Sequence, residues 1–358
     1  EDKMYLRIKF QPMSPKRHIE LLAPAKNLQT GISAINHGAD AVYIGAARFG
    51  ARQAAGNSVE DIAKLVEYAH IFGVKVYVTL NTIIYDDEIA EAERLITELY
   101  NVGVDALIVQ DMGILRMNIP PIPLHASTQM DNRTAEKVKF LSDVGFPRVV
   151  LARELSLEQI NAIHESNPKT ELEVFVHGAL CVSYSGQCLF SYMVGGRSGN
   201  RGECAQSCRM PYTLCDYDTK KEYSKSAYIL SLKDLNTIEH VQELIDANVA
   251  SFKIEGRMKK SEYVGHITSI YRKAMDLKDY KVSEKDLHKA KVLFHRGYSD
   301  GWMYHKKGSA LYNPHRPNHI GIEVGKVLFT KNGNIRVKLF EDLNQGDGVR
   351  ILMEEEDF

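Results

Sequence analysis

The segment INHGADAVYIG, residues 35–45, combines a helix end with an apolar run, and this combination recurs along the chain. The recurrence predicts the fold. The other copies are YNVGVDALIVQ at 100–110, SDVGFPRVVLA at 142–152 and DANVASFKIEG at 246–256. In each copy a helical pattern ends at a residue suited to the left-handed conformation, and an apolar run follows. These residues are Gly38, Gly103, Gly145 and Asn248. Each copy therefore predicts a helix that leads into a buried strand.

Outward from these copies, the apolar runs predict eight strands. They lie at about 19–24, 41–46, 75–81, 106–111, 123–129, 148–153, 171–177 and 251–256. Helix caps are predicted between them at Ser58, Ser156 and Ser231. Continuous apolar strands separated by helices favour parallel pairing, and eight of them favour an α/β fold closed as a (β/α)8 TIM-like barrel. An open doubly wound sheet is the alternative, weakened because no G-x-G-x-x-G follows the first strand.

The chain divides into four parts on this interpretation. Residues 1–17 form an N-terminal extension, residues 18–300 the barrel, residues 301–319 a linker and residues 320–358 a small β-barrel-like domain. A Cys-rich insertion at 179–230 follows the seventh strand, at the end of the barrel where active sites are built. Within the C-terminal domain, the apolar segments on either side of Asn332-Gly333 are typical of a hairpin. Because the chain stops at MEEEDF, this interpretation allows for an incomplete domain.

Composition narrows the class of protein. With 358 residues and 44% hydrophobic content, the chain can bury one large core. It has no uninterrupted apolar run of about 18 residues and no signal-peptide pattern, so we expect a cytoplasmic protein without a membrane span. The net charge of -1 offers no general attraction to nucleic acid. An RNA partner would therefore need a local basic patch.

Four of the five cysteines lie between Glu171 and Tyr212, with the spacing C-x6-C-x15-C-x3-C. They are Cys181, Cys188, Cys204 and Cys208. Thiolates at such spacing among many glycines predict a site for a soft metal, either zinc or an iron–sulfur cluster. Zinc ribbons use two tight CxxC pairs, and only the last two cysteines approach one, which favours a cluster. Buried thiols and disulfides remain the alternatives, although disulfide frameworks are typical of small secreted chains.

Polar residues at predicted strand ends are the candidates for catalysis, because these ends face the pocket of a barrel. Alternation along a strand places His125 with Gln129, and Lys253 with Glu255 and Arg257. The full set of catalytic candidates is His125, Gln129, His177, Lys253, Glu255 and Arg257. The candidates for binding a phosphate, carboxylate or cofactor are Asn81, Arg197 and Arg201. From composition alone, the simpler explanation of these polar and basic residues is a solvated charged rim that covers aromatic side chains of the core.

The segment FVHGALCVSYSGQCLFSYMVGGRSGNRGECAQSCRMPY resembles the signature of the peptidase U32 family, the collagenase-like peptidases. Further similar segments are IELLAPAKN, GADAVYIGAARFGAR, VYVTLNT, HASTQM and SFKIEGRMK, so the resemblance covers about residues 18–300. The motif GGRSGNRGxCAQxCR most resembles the corresponding motif of the branch that hydroxylates a cytidine of large-subunit ribosomal RNA. Sister branches hydroxylate tRNA uridine or act in ubiquinone synthesis.

This resemblance implies an oxygen-independent hydroxylase of an RNA base, with prephenate as the small carboxylate donor of the hydroxyl group. It implies a 4Fe-4S cluster held by the four clustered cysteines, with Cys215 as the one possible substitute. It also leaves two alternatives. One is collagenase-like proteolysis, for which His125 and His177 are the candidate bases although no H-E-x-x-H or G-x-S-x-G is present. The other is a four-cysteine module with a purely structural metal.

Overall fold

The computed structural model describes residues 19–51, 56–305 and 308–352. The predicted N-terminal extension, residues 1–17, lies outside these ranges. The strands are β1 (Glu20–Ala25), β2 (Ala41–Ala46), β3 (Gly56–Asn57), β4 (Lys75–Leu80), β5 (Ala106–Val109), β6 (Leu124–Ala126), β7 (Arg148–Val150), β8 (Glu171–Gly178), β9 (Asp234–Asn236), β10 (Ser251–Ile254), β11 (Tyr298–Ser299), β12 (Gly325–Lys331) and β13 (Asn334–Leu339).

Helices connect most pairs of successive strands. They are α1 (Leu28–Asn36), α2 (Val59–Ile71), α3 (Ile89–Asn101), α4 (Ala135–Asp143), α5 (Leu157–Ser166), α6 (Phe190–Gly195), α7 (Val241–Asp246), α8 (Ser261–Asp276) and α9 (Glu284–Leu293). Short 3-10 turns join several of them to the strands.

Eight parallel strands close into a barrel. The hydrogen-bonded order runs β10, β1, β2, β4, β5, β6, β7, β8, and β8 pairs in turn with β10. The strand β3 adds two residues beside β2. The short strand β9 pairs antiparallel with the end of β8, and β11 pairs with β9. The predicted (β/α)8 fold is confirmed, and each of the eight predicted strands overlaps an observed one.

Two of the predicted helix caps are confirmed, and one is wrong. Ser58 accepts a hydrogen bond from the amide of Asp61, and Ser156 forms a capping box with Gln159. Ser231 instead accepts a hydrogen bond from Arg209, and the residues after it form β9. Pairing with β8 satisfies the backbone N–H and C=O groups of this segment, so it forms a strand and not the helix that its cap-like sequence predicted.

Successive side chains of the barrel strands point alternately to the helices and to the interior. On β1, Leu21 joins the large core between the barrel and its helices. Its neighbour Leu22 faces the barrel interior, with Tyr43, Tyr77 and Ile108 from the strands beyond it. The continuous apolar strands in the sequence follow from this burial on both faces.

The interior also holds a paired set of charges. Arg148 contacts Glu20 at 2.5 Å, and Lys253 contacts Glu173 at 2.7 Å. The hydroxyl of Tyr77 donates to Glu20 at 2.6 Å. All five side chains are buried. Buried charges of this kind are tolerated because each has a partner of opposite sign.

The C-terminal residues form the predicted hairpin. The strands β12 and β13 pair antiparallel across a turn in which Asn332 and Gly333 have positive φ, 51° and 77°. The side chains of both strands are almost all exposed. A complete small β domain at 320–358, and a linker at 301–319, stay predictions. In the ranges that the structure covers, no helix combines the length and the apolar character needed to cross a membrane.

Candidate functional site

The Cys-rich insertion leaves the barrel at the carboxyl end of β8 and returns to it at β9. It touches the barrel mouth through its backbone at Gly186. This residue has φ +77°, and a Cβ there would lie 2.0 Å from the carbonyl oxygen of Gln129. Only glycine permits both the conformation and the contact. The insertion therefore lies directly against the loop that follows β6.

Side chains of the barrel anchor the insertion. Arg153, after β7, donates to the carbonyl of Ala179 at 2.8 Å. The carboxylate of its neighbour Glu154 accepts from both the amide and the hydroxyl of Ser185 at 2.9 Å. Arg209, in the insertion, donates to the carbonyls of Leu180 and Leu232. These bonds involve charged groups, which makes them stronger than neutral ones.

Three cysteines of the insertion act electrostatically on the fourth, Cys208. None of the five cysteines is in a disulfide. The pKa of Cys208 is raised, first by burial, while the charge of Arg209 opposes the shift. Negative charge on Cys181, Cys188 and Cys204 raises it further, so all three lie close enough to act on Cys208. Cys204 and Cys188 also meet at Gly199, where an added Cβ would lie 3.8 Å from the Cβ of Cys204 and 3.9 Å from the Cys188 carbonyl.

Hydrogen-bond donors are directed at two of these sulfurs. The guanidinium of Arg153 lies 3.6 Å from Cys181 Sγ, and the amide of Gln206 lies 3.4 Å from Cys204 Sγ. Cys215 lies apart on the insertion's own two-stranded bridge, where its thiol donates to the carbonyl of Thr213.

The donor set has the chemistry of a group held by thiolates, with four free thiols and N–H groups directed at two of the sulfurs. Over the described ranges, no three His, Cys, Asp or Glu side chains are arranged as ligands of one metal ion.

Beneath the insertion, polar side chains from four strand ends line the mouth. Asn81 donates to Ser127 Oγ at 3.3 Å and accepts from the amide of Ala51 at 3.0 Å. Arg257 donates to Thr79 Oγ1 at 2.6 Å. The structure thus brings the predicted residues Asn81 and Arg257 to one end of the barrel, as the parallel strands require.

Gln110 and Gln129 complete the polar lining of the barrel mouth. The side-chain amide of Gln110 donates to the Gln129 carbonyl at 3.3 Å, while its own Oε1 is buried without a partner among the described residues, as is Thr82 Oγ1. The predicted alternation up to Gln129 is wrong. The strand β6 ends at Ala126, and Ser127 caps a 3-10 turn by accepting from the Gln129 amide. Gln129 therefore meets the mouth through its backbone.

Lys253 and Glu255 do not share a position. Lys253 is 4% exposed and lies lower in the barrel, where it pairs with Glu173 and stands over the Tyr43 ring, 4.5 Å from its centroid. Glu255 is half-buried at the rim and accepts from the Tyr43 hydroxyl at 3.2 Å. The strand β10 ends at Ile254, so Glu255 and Arg257 belong to the loop beyond it.

The two candidate histidines are in different places, and neither hydrogen-bonds to a cysteine in the described structure. His125 lies inside the barrel, edge-on to Tyr77 with ring centroids 4.9 Å apart. Burial, and then the charge of Arg148, lowers its pKa to about 3. His177 packs against Tyr271 of α8 and the Tyr298 ring, and burial lowers its pKa to about 4. Both imidazoles are neutral at physiological pH.

The two arginines predicted to bind a ligand also differ. Arg197 is exposed and donates to the Glu203 carbonyl within the insertion. Arg201 donates to both carboxylate oxygens of Glu88 and to the carbonyl of Ile83. The structure gives Arg201 an anchoring role instead of a free guanidinium for a ligand. The sequence held no signal for its partner, because Glu88 lies in the distant loop after β4.

A family model described as Peptidase family U32 matches residues 26–313. The chain belongs to peptidase family U32. The 23S rRNA 5-hydroxycytidine C2501 synthase of Escherichia coli (strain K12) is 50% identical over 352 residues, which cover 94% of this chain and 53% of that protein. The chain thus spans about half the length of this relative.

Two further members of the family carry other names. The tRNA hydroxylation protein P of Helicobacter pylori (strain ATCC 700392 / 26695) is 35% identical over 304 residues, covering 80% of this chain and 71% of that protein. The Collagenase of Porphyromonas gingivalis (strain ATCC BAA-308 / W83) is 37% identical over 306 residues, covering 79% of this chain and 73% of that protein. The family thus includes proteins named for RNA hydroxylation and for proteolysis.

Proposed function

We propose that this U32 protein is an RNA base hydroxylase, with a cytidine of large-subunit ribosomal RNA as its substrate. The observation that carries the proposal is a set of four free thiols in the insertion that lies against the polar barrel mouth, three of which act electrostatically on Cys208. The 50% identity to a ribosomal RNA hydroxycytidine synthase supports this substrate, and the tRNA hydroxylation proteins support the reaction class.

The proposed cofactor is a 4Fe-4S cluster held by Cys181, Cys188, Cys204 and Cys208. Conversion of a ring C–H bond to C–OH is a two-electron oxidation, and a cluster of this kind supplies redox chemistry or polarises a bound substrate. The N–H groups of Arg153 and Gln206 are directed at two of the sulfurs and would orient them as ligands. Zinc held by the same thiols is the alternative, and metal analysis separates the two.

The mouth residues would hold the base and its donor. An amide side chain such as Asn81 or Gln110 matches the hydrogen-bonding edge of a nucleobase, and the partnerless Gln110 Oε1 is a buried acceptor at this place. Exposed Tyr192 and Arg197 of the insertion offer a stacking surface and a phosphate contact for the flanking RNA. The proposed oxygen donor is prephenate, a small carboxylate, which would give its hydroxyl group to the base in exchange for a hydrogen and so take up the two electrons that the ring loses.

No observation on the described residues favours proteolysis. A cysteine peptidase needs a base beside its nucleophile. Here the hydrogen bonds of the thiols go to arginine, serine, a backbone amide and a backbone carbonyl. His125 and His177, the candidate bases, are buried among tyrosines.

Expression in an Escherichia coli strain that lacks its 5-hydroxycytidine synthase tests the proposal. We expect mass mapping to find 5-hydroxycytidine restored at position 2501 of 23S rRNA, and to find none with the variant Cys204→Ser. The same RNA pool should be scanned for hydroxylated tRNA uridine. If metal-loaded protein accumulates and neither RNA gains a hydroxyl group, RNA hydroxylation is rejected for this chain.

A further inference from the structure

The C-terminal hairpin of β12 and β13 has two faces, which its register defines. Residues that pair across an antiparallel ladder point to the same side of it, and successive residues of one strand point to opposite sides. Lys326 pairs with Lys338 before an irregularity in β12, and Phe329 pairs with Arg336 after it. Apart from Leu328 at the irregularity, each residue of the two strands therefore belongs to one face.

The two faces differ in chemistry. The first, here called the basic face, consists of Lys326, Phe329, Lys331, Asn334, Arg336 and Lys338, all of them exposed. The opposite face consists of Gly325, Val327, Thr330, Ile335, Val337 and Leu339. Neither set includes a carboxylate. In a chain of net charge -1, four cations on one side of a hairpin form a local basic patch.

The cations of the basic face are not compensated within the protein. Over the described ranges, none of the four forms an ion pair with a carboxylate. Lys326 and Lys338 lie directly opposite each other, and like charges in this position destabilise an antiparallel pair. The basic face therefore carries an electrostatic cost that a bound anion would relieve.

An aromatic ring lies among these cations. The guanidinium of Arg336 lies over the Phe329 ring, 5.7 Å from its centroid, and Phe329 is 50% exposed. Exposed rings beside cations offer a surface on which unpaired bases stack while the cations contact phosphates. Arg336 and Lys338 are alternate residues of β13, so their Cα atoms are about 7 Å apart. This spacing is similar to that of successive phosphates in an extended single strand.

The hairpin is attached to the barrel domain near the end of α9. Before β12, the amide of Ile320 donates to the carbonyl of His295 at 2.9 Å, and His295 Nε2 lies 2.9 Å from the Gly321 carbonyl oxygen. After β13, Glu341 Oε1 lies 3.7 Å from Nε2 of His288 in α9. Contacts on both sides of the hairpin thus hold the basic face beside the barrel domain.

We infer that the basic face binds single-stranded RNA, with its cations on the phosphates and Phe329 against a base. The inference rests on the proposed function, because it gives the same class of substrate a second contact, on elements other than the insertion and the barrel strands. Phosphate contacts and stacking carry little sequence information, so this face would hold the RNA that flanks the modified base whatever its sequence.

A lipid surface suits the basic face less well. It offers anions, but it has no planar groups to stack on the exposed Phe329 ring, whereas RNA supplies a base for the ring and a regular row of anions for the cations. Anionic vesicles nevertheless compete for any cluster of exposed cations. They are therefore the competitor in the binding experiment.

Fluorescence anisotropy with a short labelled oligouridylate tests the inference on the full, metal-loaded chain purified without oxygen. We expect binding that weakens as salt rises. The double variant Lys326→Gln, Lys338→Gln should weaken binding about tenfold at low salt. It should also lower the slope of log affinity against log salt by about 1.4, since each phosphate contact to a single strand accounts for about 0.7. Phe329→Leu should weaken binding at least about fivefold and leave the slope unchanged.

A matched control removes the same charge elsewhere. Lys278 and Lys281 are exposed beyond the end of α8, and the double variant Lys278→Gln, Lys281→Gln should keep the native affinity and slope. An equal loss in this control, native affinity in the hairpin variants, or displacement of the oligouridylate by vesicles of phosphatidylcholine and phosphatidylserine would overturn the inference. Photo-crosslinking of a 4-thiouridine oligonucleotide to the native chain gives a readout that needs no variant. The label should fall within residues 325–339, and its absence there would also overturn the inference.

Failure of this inference can be distinguished from failure of the proposed function. Oligouridylate contains no cytidine, so its binding to the basic face can be seen even where cytidine hydroxylation fails. Conversely, if 23S rRNA is hydroxylated and the hairpin variants bind RNA like the native chain, the inference alone is rejected.

Discussion

Arg201 of the insertion donates hydrogen bonds to both oxygens of the Glu88 carboxylate, at 2.8 and 2.6 Å, across 113 positions of the chain. The Arg201 guanidinium also lies over the Tyr85 ring, 4.3 Å from its centroid. We expect Arg201→Ala to free this side of the insertion from the loop after β4. The cost is about 1–3 kcal/mol, the usual range for hydrogen bonds to charged groups.

Hydrogen exchange measures the effect, with faster exchange expected across the insertion and unchanged exchange in the barrel strands. Arg197→Ala is the matched control, because Arg197 is exposed and bonds within the insertion alone. Equal exchange in the two variants would contradict the anchoring role.

The contribution of the Glu88–Arg201 ion pair to the free energy of unfolding depends on pH. The hydrogen bonds from Arg201 hold the pKa of Glu88 down at about 2, against an ordinary value of 4.5. A carboxylate with a lowered pKa stabilises the fold above its unfolded pKa, and this contribution is lost as the pH falls towards the folded value. The difference in unfolding free energy between the native chain and Glu88→Gln should be constant above pH 5 and shrink below it. Glu91→Gln, at a more exposed ion pair with Arg48, should give a smaller difference throughout.

Metal content should depend on Cys204 and not on Cys215. Cys204 lies with the clustered thiols, whereas Cys215 bonds to Thr213 on a separate bridge. Protein purified without oxygen should show an absorption band at about 400 nm and about four irons per chain, as 4Fe-4S centres do. Cys204→Ser should lose both, and Cys215→Ser should keep both. A colourless protein with one zinc per chain in iron-rich medium would reject the cluster.

Glu173→Gln should destabilise the barrel strongly. The substitution leaves Lys253, 4% exposed, without its ion-pair partner, and removal of one member of a buried pair costs about 3–5 kcal/mol. Urea unfolding measures this, with Asp143→Asn as the control, since both side chains of the Asp143–Lys139 pair are exposed and its loss should cost less than about 1 kcal/mol. The double variant Glu173→Leu, Lys253→Met should recover much of the loss, because it removes both charges together.

Lys259→Met should stabilise the ligand-free protein. Burial, and then repulsion by Arg296, lowers the pKa of Lys259 to about 7. Below pH 7 the folded protein bears the whole cost of this charge, and the cost declines as the pH rises towards the unfolded value of 10.5. The gain in melting temperature should therefore be largest at pH 6 and small at pH 10. A gain that grows with pH would show that Lys259 is well compensated.

The fold was predictable because its signals are local. Each strand is a short apolar run, and Gly38, Gly145 and Asn248 do adopt positive φ at the predicted helix ends, 96°, 112° and 57°. The positions of single strand-end residues were less predictable. Alternation holds within a strand and stops where it ends, so it failed for Gln129 once Ser127 capped a turn.

The partners of the site residues could not be predicted from the sequence. Glu88 for Arg201, and Tyr298 for His177, are joined by the folding of distant loops, and no periodicity marks them. The sequence could place the four cysteines in one insertion, because close spacing along the chain limits how far they can separate, and their role as ligands stays a prediction. The charge balance around Lys259 depends on Arg296 and Asp234, which only the tertiary structure brings together.

The close approach of Gly186 to the Gln129 carbonyl holds the insertion against the loop after β6 through backbone atoms. The two backbones leave no room for a side chain, so any residue larger than glycine at position 186 would push the insertion away from the barrel mouth. Tyr192 and Arg197 of the insertion are exposed, so substitutions at these two positions would leave the backbone contact unchanged.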